Sequence, residues 1–299
     1  MSTEELYRKI SENVDLEYVK SVLPYKPYHC PLQYLSTEEK ENVHIHEVSL
    51  TSANQAVVTA LLVTPRPNLR KNYPALILLH GGGQNRYTFL ENAMNLASKG
   101  FVCMLPDSPA ARPEPYRISY LNYGEAQKDF RAYTQNVRDM QACFVALCEL
   151  GYVDTQNIGF VGFSKGAWTG AQLAGLNIGI KTFILMACSG SQTWDLIHLN
   201  EEYLNKTRLS LSQEQLNNYL KIMGSLDPIH HLKLKKESSI FFQFANSDPY
   251  VTDDMADLSF FSATNPKKRK NYESKHEGLS YHEEATNDRM NWLIKELIK

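Results

Sequence analysis

Asn157-Ile-Gly-Phe-Val-Gly-Phe-Ser-Lys-Gly-Ala-Trp168 is the stretch on which the reading of this chain turns. Ile158 to Phe163 is a short apolar run with β-branched and small residues, the pattern of a buried strand. It leads directly into Gly162-Phe163-Ser164-Lys165-Gly166, a match to G-x-S-x-G. A serine at the tip of a sharp strand-to-helix turn is held in strained backbone geometry, and a Cβ on either flank would clash there, which accounts for both glycines. Ala167 to Leu176 is apolar and alanine-rich and predicts a helix whose N-terminus points at Ser164. Five residues match this pattern by chance in many chains. A buried strand before them and a helix after them give the match its weight.

Outward from this turn, strand and helix signals alternate. Pro74 to Leu79 predicts a buried strand ending in His80-Gly81-Gly82-Gly83, and Phe89 to Ala97 predicts a helix closed by Lys99-Gly100. Phe101 to Leu105 predicts a further strand, residues 124–150 a long helix, and Thr182 to Ala187 the strand after the serine's helix. Alternation from residue 74 to 188 predicts an α/β fold, with a mostly parallel central sheet and helices on both faces. Ahead of it, Val43 to Leu50 and Ala56 to Val63 read as an antiparallel hairpin. Residues 1–40 read as an N-terminal helical extension, over about residues 2–22, followed by a linker broken by Pro24, Pro27 and Pro31. Residues 41–299 then form one domain, with a cap-like helical insertion at about 189–237 over the C-terminal edge of the sheet. Ser239 to Ala245 resumes the sheet, Val251 to Phe261 predicts a helix, Asn271 to Ser274 a short edge strand, and Tyr281 to Ile298 a final amphipathic helix. The basic run Lys267 to Lys270 reads as a solvated loop.

Composition narrows the function classes. The chain has 299 residues, 43% hydrophobic and 21% charged, with a net charge of −2, so no field draws it to nucleic acid or an anionic membrane. No apolar run approaches the ~20 residues of a membrane helix, and the charged N-terminus lacks the apolar core of a signal peptide. The five cysteines are scattered without metal spacing and read as buried, reduced thiols, which points to the cytoplasm. His44 and His46 share a strand face but have no third ligand near them in sequence.

A serine hydroxyl needs a base, a group to orient that base, and donors for the oxyanion formed on attack. The backbone N–H of Lys165, directly after Ser164, is one candidate donor. The glycine loop after the earlier strand supplies the other, with Gly82 first and Gly83 second. For the acid, Asp248 sits in a turn just beyond a buried strand, while Asp253 and Asp254 read as residues at the start of the next helix. For the base, chain order after the acid leaves His276, in a loop past a strand, and His282, at the start of the last helix; His276 is the stronger candidate. His80 reads as a brace for the glycine loop. Arg112, Tyr116, Arg117, Tyr120 and Tyr123 lie in a long loop that either faces the site or covers the surface, and Trp168 reads as core packing.

The order Ser164, Asp248, His276 is the order of the α/β-hydrolase fold. With His80-Gly81-Gly82-Gly83, Ser247 to Val251, Lys275 to Leu279, the link Gly151 to Ile158 and Asn291 to Ile294, the chain resembles α/β-hydrolases of the dienelactone-hydrolase-like and acyl-thioesterase-like branch over about residues 43–299. Dienelactone hydrolases themselves carry cysteine where this chain has Ser164, and Ala167 replaces a glycine common in the family's elbow. The resemblance implies a serine esterase that cleaves a carboxylic ester of a small or medium acyl substrate through an acyl-enzyme, with no metal or organic cofactor. The same machinery serves an acyl thioesterase or a peptidase, and a catalytically silent fold acting as receptor or scaffold is the alternative outside enzymes. The expected partner is a small-molecule acyl substrate, and the N-terminal segment is a candidate arm for a homo-oligomer.

Overall fold

Thr182–Met186 and Ser239–Ala245 are buried along their whole length, as strands covered by helices on both faces must be. The computed structural model describes residues 1–298 apart from 13, 41, 67–71 and 121. In chain order its strands are β1 (Gln33–Lys40), β2 (Val43–Thr51), β3 (Val57–Pro65), β4 (Tyr73–Leu79), β5 (Val102–Pro106), β6 (Val153–Phe163), β7 (Thr182–Met186), β8 (Ser239–Ala245) and β9 (Lys267–Tyr272). They form one sheet in the order β1-β2-β3-β5-β4-β6-β7-β8-β9. β1, β2, β3 and β5 pair antiparallel, and pairing from β5 across to β9 is parallel.

The helices are α1 (Thr3–Ser11), α2 (Leu16–Val22), α3 (Leu90–Ser98), α4 (Ala126–Glu149), α5 (Lys165–Leu176), α6 (Gln192–His198), α7 (Glu202–Ser210), α8 (Gln213–Met223), α9 (Pro228–Leu234), α10 (Asp253–Ser262) and α11 (Glu283–Leu297). α3 and α11 lie together against the sheet, and α4 packs on α5. Four helices, α6 to α9, fill the segment between β7 and β8. Among the described residues no helix is long and apolar enough to cross a membrane.

Three elements differ from the sequence reading. Residues 33–40, expected to end a linker, form the edge strand β1, paired with β2. Every residue of β1 is exposed, so it has no apolar alternation to betray it. Its acids and lysine are the side chains that protect an exposed edge. The basic run at 267–270, expected in a loop, forms most of β9 instead. Its side chains lie along the rim of the core, with Lys268 Nζ 5.0 Å above the Phe241 ring and Arg269 over Phe244 at 5.0 Å. Long basic side chains cover apolar surface with their stems and keep their charges in water. The N-terminal helix expected over 2–22 is two helices, α1 capped by Ser2 and α2 capped by Asp15.

The turn from β6 into α5 brings backbone against backbone. A Cβ on Gly162 would lie 2.4 Å from the Gly166 carbonyl oxygen, and one on Gly166 would lie 2.3 Å from that of Leu79. Between them Ser164 takes φ 52° and ψ −114°, a conformation that side-chain-bearing residues adopt at a cost of roughly 1–3 kcal/mol. Its N–H is held by the Met186 carbonyl at 2.8 Å. Gly166→Ala is therefore expected to destabilise the protein by about 1–3 kcal/mol. Gly224→Ala, where a Cβ meets nothing within 4 Å, should leave the midpoint nearly unchanged. Thermal melts of the two variants check the contrast.

Candidate active site

β6 delivers Ser164, the turn after β8 delivers Asp248, and the segment after β9 delivers His276. These loops lie at the C-terminal ends of parallel strands, where open α/β sheets place their sites. His276 Nε2 lies 3.0 Å from Ser164 Oγ, and His276 Nδ1 lies 2.7 Å from Asp248 Oδ2. The other carboxylate oxygen, Oδ1, accepts the N–H groups of Tyr250 at 2.9 Å and Val251 at 3.0 Å. Asp248 is thereby fixed by its own turn before it meets the histidine. The imidazole is buried between Phe163 and Tyr250, each ring 5.0 Å away. A histidine whose Nδ1–H is committed to a carboxylate presents Nε2 as an acceptor, here to the serine hydroxyl.

The competing residues go elsewhere. His282 caps α11, its ring accepting the Ala285 N–H. Asp253 and Asp254 sit in the first turn of α10, whose cap is Thr252. In the glycine loop, Gly82 lies beside Lys165, while Gly83 turns with φ +72°. Lys165 opens α5, so its N–H has no partner within the helix. Buried His80 holds this loop in place. Its Nδ1 bonds the Gly81 carbonyl at 2.7 Å, and its Nε2 accepts the Ser108 N–H at 3.1 Å. Burial keeps its pKa low, so the ring stays neutral.

Ser164, His276, Gly82 and Lys165 face a cavity of about 360 Å³, which Gly83 and Asp248 do not line. α4 and the loop before it supply Tyr133 and Tyr123, α6 supplies Asp195, and α8 supplies Tyr219. Trp168, expected in the core, also lines it. The loop candidates separate. Tyr123 reaches the cavity, and Tyr120 lies beneath the Lys165 ammonium, 4.2 Å from ring centre to Nζ. Arg112 does not reach the site. It is buried and paired with Asp139 of α4. Tyr116 is exposed, and Arg117 donates back to the Ala110 carbonyl.

Two ionisable groups in the wall are far from their ordinary state. Burial pulls Lys165 down to about 7, against a smaller opposing pull from Asp129. Burial pushes Asp195 up to about 8, with Asp227 and Asp248 adding to the rise and a bond from Ser189 opposing it.

The sheet order, the strained serine turn and the order of the three hydrogen-bonded residues match one architecture. The chain has the α/β-hydrolase fold. Solved structures of this fold superpose over almost its entire length. An acetyl xylan esterase from Paenibacillus sp. R4 is 20% identical with a TM-score of 0.76, over 94% of this chain and 93% of that one. Acetyl xylan esterase 1 from a Thermoanaerobacterium species is 16% identical with a TM-score of 0.75, over 98% of this chain and 94% of that one. Dipeptidyl peptidase 4 of Porphyromonas gingivalis is 19% identical with a TM-score of 0.63, over 86% of this chain and 36% of that one. A family model described as BAAT / Acyl-CoA thioester hydrolase C terminal matches residues 142–282, just under half of the chain. No curated protein matches it in sequence. The hydrolase fold hosts several acyl-transfer chemistries, so the site itself must carry the functional argument.

The sequence reading missed most of the cavity wall, including Asp195, Glu201, Tyr203, Tyr219 and Tyr250. No local signal marked them, since the segment between β7 and β8 is no richer in tyrosine and acid than the rest of the chain. Lys165 yields a test of the wall's polarity. An unfolded chain titrates this lysine near 10.5 and the folded protein near 7. Between those values the unfolded chain holds more protons, so stability rises with pH there, and the full burial penalty applies below about 7. Lys165→Met is therefore expected to raise the melting temperature most at pH 6. Melts of both proteins at higher pH should show the gap closing towards pH 10.

Proposed function

We propose that this protein is a serine hydrolase that cleaves a carboxylic ester of a small or medium acyl substrate through an acyl-enzyme. The observation that carries this reading is the continuous chain from Ser164 Oγ through His276 to Asp248, at 3.0 and 2.7 Å, opening onto a cavity. Ser164 is the nucleophile, and His276 takes its proton and returns it to the leaving group. Asp248 holds the imidazole in the tautomer that leaves Nε2 free and stabilises the imidazolium as it forms. The backbone N–H groups of Lys165 and Gly82, with Gly83 as the alternative in the loop, receive the oxyanion. A cavity of about 360 Å³ suits a ligand at the small end of the usual range.

A second reading, an acyl thioesterase on the same residues, is favoured by the match of residues 142–282 to the acyl-CoA thioester hydrolase model. A thioester carbonyl is attacked by the same nucleophile and needs the same oxyanion donors, so a panel of matched acyl esters and thioesters distinguishes the two.

Labelling with a fluorophosphonate followed by peptide mapping tests the shared mechanism. The label is expected on Ser164 and absent in Ser164→Ala. Ser164→Ala and His276→Ala should each lower turnover by at least about 10⁴-fold, and Asp248→Asn by a comparable factor, with folding preserved. A folded wild-type protein that takes no label, or one whose turnover survives Ser164→Ala, would sink the proposal.

A further inference from the structure

The wall of the cavity is an acid-rich aromatic box. Tyr123 packs against Tyr219 with ring centres 5.1 Å apart and against Tyr203 at 6.4 Å. Three acids line the same space: Asp195, Glu201 and Glu277. Their fields converge on the tyrosines. Burial above all, then Tyr203, Asp129, Asp195 and Glu201, raises the Tyr123 hydroxyl. Burial, then Glu277, Glu201 and Asp248, raises Tyr250 at the mouth. Apart from His276, Lys165 is the only basic side chain among the described residues that line the cavity. Its amine already lies on the Tyr120 ring, and burial lowers its pKa to about 7.

Two buried polar atoms in this wall, the Tyr133 hydroxyl and the Trp168 indole N–H, lack partners among the described residues. The Tyr133 hydroxyl makes no hydrogen bond, although the residue is only 6% exposed. Asp195 is only 7% exposed. It takes a bond from Ser189 on Oδ2, and its Oδ1 accepts none from any described residue. A carboxyl kept neutral by burial lacks its counter-ion, and a cation brought beside it restores the charge and repays the desolvation. Tyrosine faces attract the same kind of ion through the ring quadrupole, most strongly out of water. An anionic substrate would meet Asp195, Glu201 and Glu277, with Lys165 as the one amine among the described lining residues.

Resting on the hydrolase reading above, we infer that the substrate carries an ammonium group, seated among Tyr123, Tyr203 and Tyr219 with Glu201 and Asp195 Oδ1 as its counter-charges. The reacting carbonyl lies at Ser164, at the other side of the same cavity. The ammonium site orients the ester and selects it over neutral esters of equal size.

Titration calorimetry of the intact protein with choline and with 3,3-dimethylbutan-1-ol, its uncharged carbon isostere, tests this without turnover. Choline is expected to bind at least about 10-fold more tightly than the isostere, the scale of a desolvated cation on aromatic faces. Glu201→Gln and Tyr203→Leu should each remove most of that advantage. The first change keeps a side-chain oxygen for the Leu204 N–H that Glu201 caps at 3.0 Å, and Tyr203 is exposed, so neither threatens the core. No difference between the two ligands, including no binding of either, overturns the inference, as does an advantage that survives both substitutions. The hydrolase reading fails separately. If Ser164 takes no fluorophosphonate while choline still binds selectively, the ammonium site stands and the ester reaction falls. If Ser164 is labelled and the isosteres bind alike, the reverse holds.

Discussion

The close approach of backbone to backbone at the turn between β6 and α5 is the constraint on which the site depends. Gly162 and Gly166 let the start of α5 press against the turn and against the end of β4 at distances no Cβ would permit. That contact sets where the α5 N-terminus sits relative to the glycine loop that follows β4. Gly82, in that loop, lies beside the Lys165 side chain. The positive φ of Ser164 is the local cost, offset by the bond from its N–H to β7 and by the buried strands on either side. Displacing the turn would move the proposed nucleophile and oxyanion donors together, because one piece of geometry positions both.

The second layer of the site rests on two buried carboxylates outside the cavity chemistry. Asp129, on α4, accepts the Asn122 N–H at 2.8 and 2.9 Å and the Tyr219 hydroxyl at 3.3 Å. It ties the loop before α4 to α8 in the segment between β7 and β8. Asp227 accepts the Ser191 hydroxyl at 2.6 Å and bonds Thr193, closing the two ends of that segment on each other. Gln172, on α5, donates to the Leu226 carbonyl at 2.7 Å. The four helices are thus fastened to the same α5 that carries the serine turn. Tyr219 and Asp195, which line the same cavity as Ser164, belong to this anchored segment.

How far the sequence could be read followed from which forces leave a local mark. β7 and β8 are continuous apolar runs because both faces are covered, and their positions were legible to within a residue or two. β1 is exposed along its length and β9 carries four consecutive basic residues, so hydrophobic periodicity says nothing of either. Both are fixed by backbone pairing with a neighbouring strand, which leaves no mark on side-chain pattern. His276 was separable from His282 by its place in a loop past a strand. Arg112 read as either facing the site or covering the surface, but it is a buried ion-pair partner of Asp139, a distinction that depends on which way a long side chain turns.

By itself the sequence determined the α/β alternation, the serine turn and its glycines, and the chain order of serine, acid and histidine. Each is written in residues adjacent along the chain, where sterics and hydrophobic period act directly. The tertiary structure alone decided that Ser164, His276 and Asp248 meet at 3.0 and 2.7 Å. It also decided that tyrosines and acids from α4, α6, α7 and α8 close into one aromatic wall. Those contacts join residues far apart in sequence. Their shifted charges arise from burial, a property of the packed molecule with no counterpart in the order of its residues.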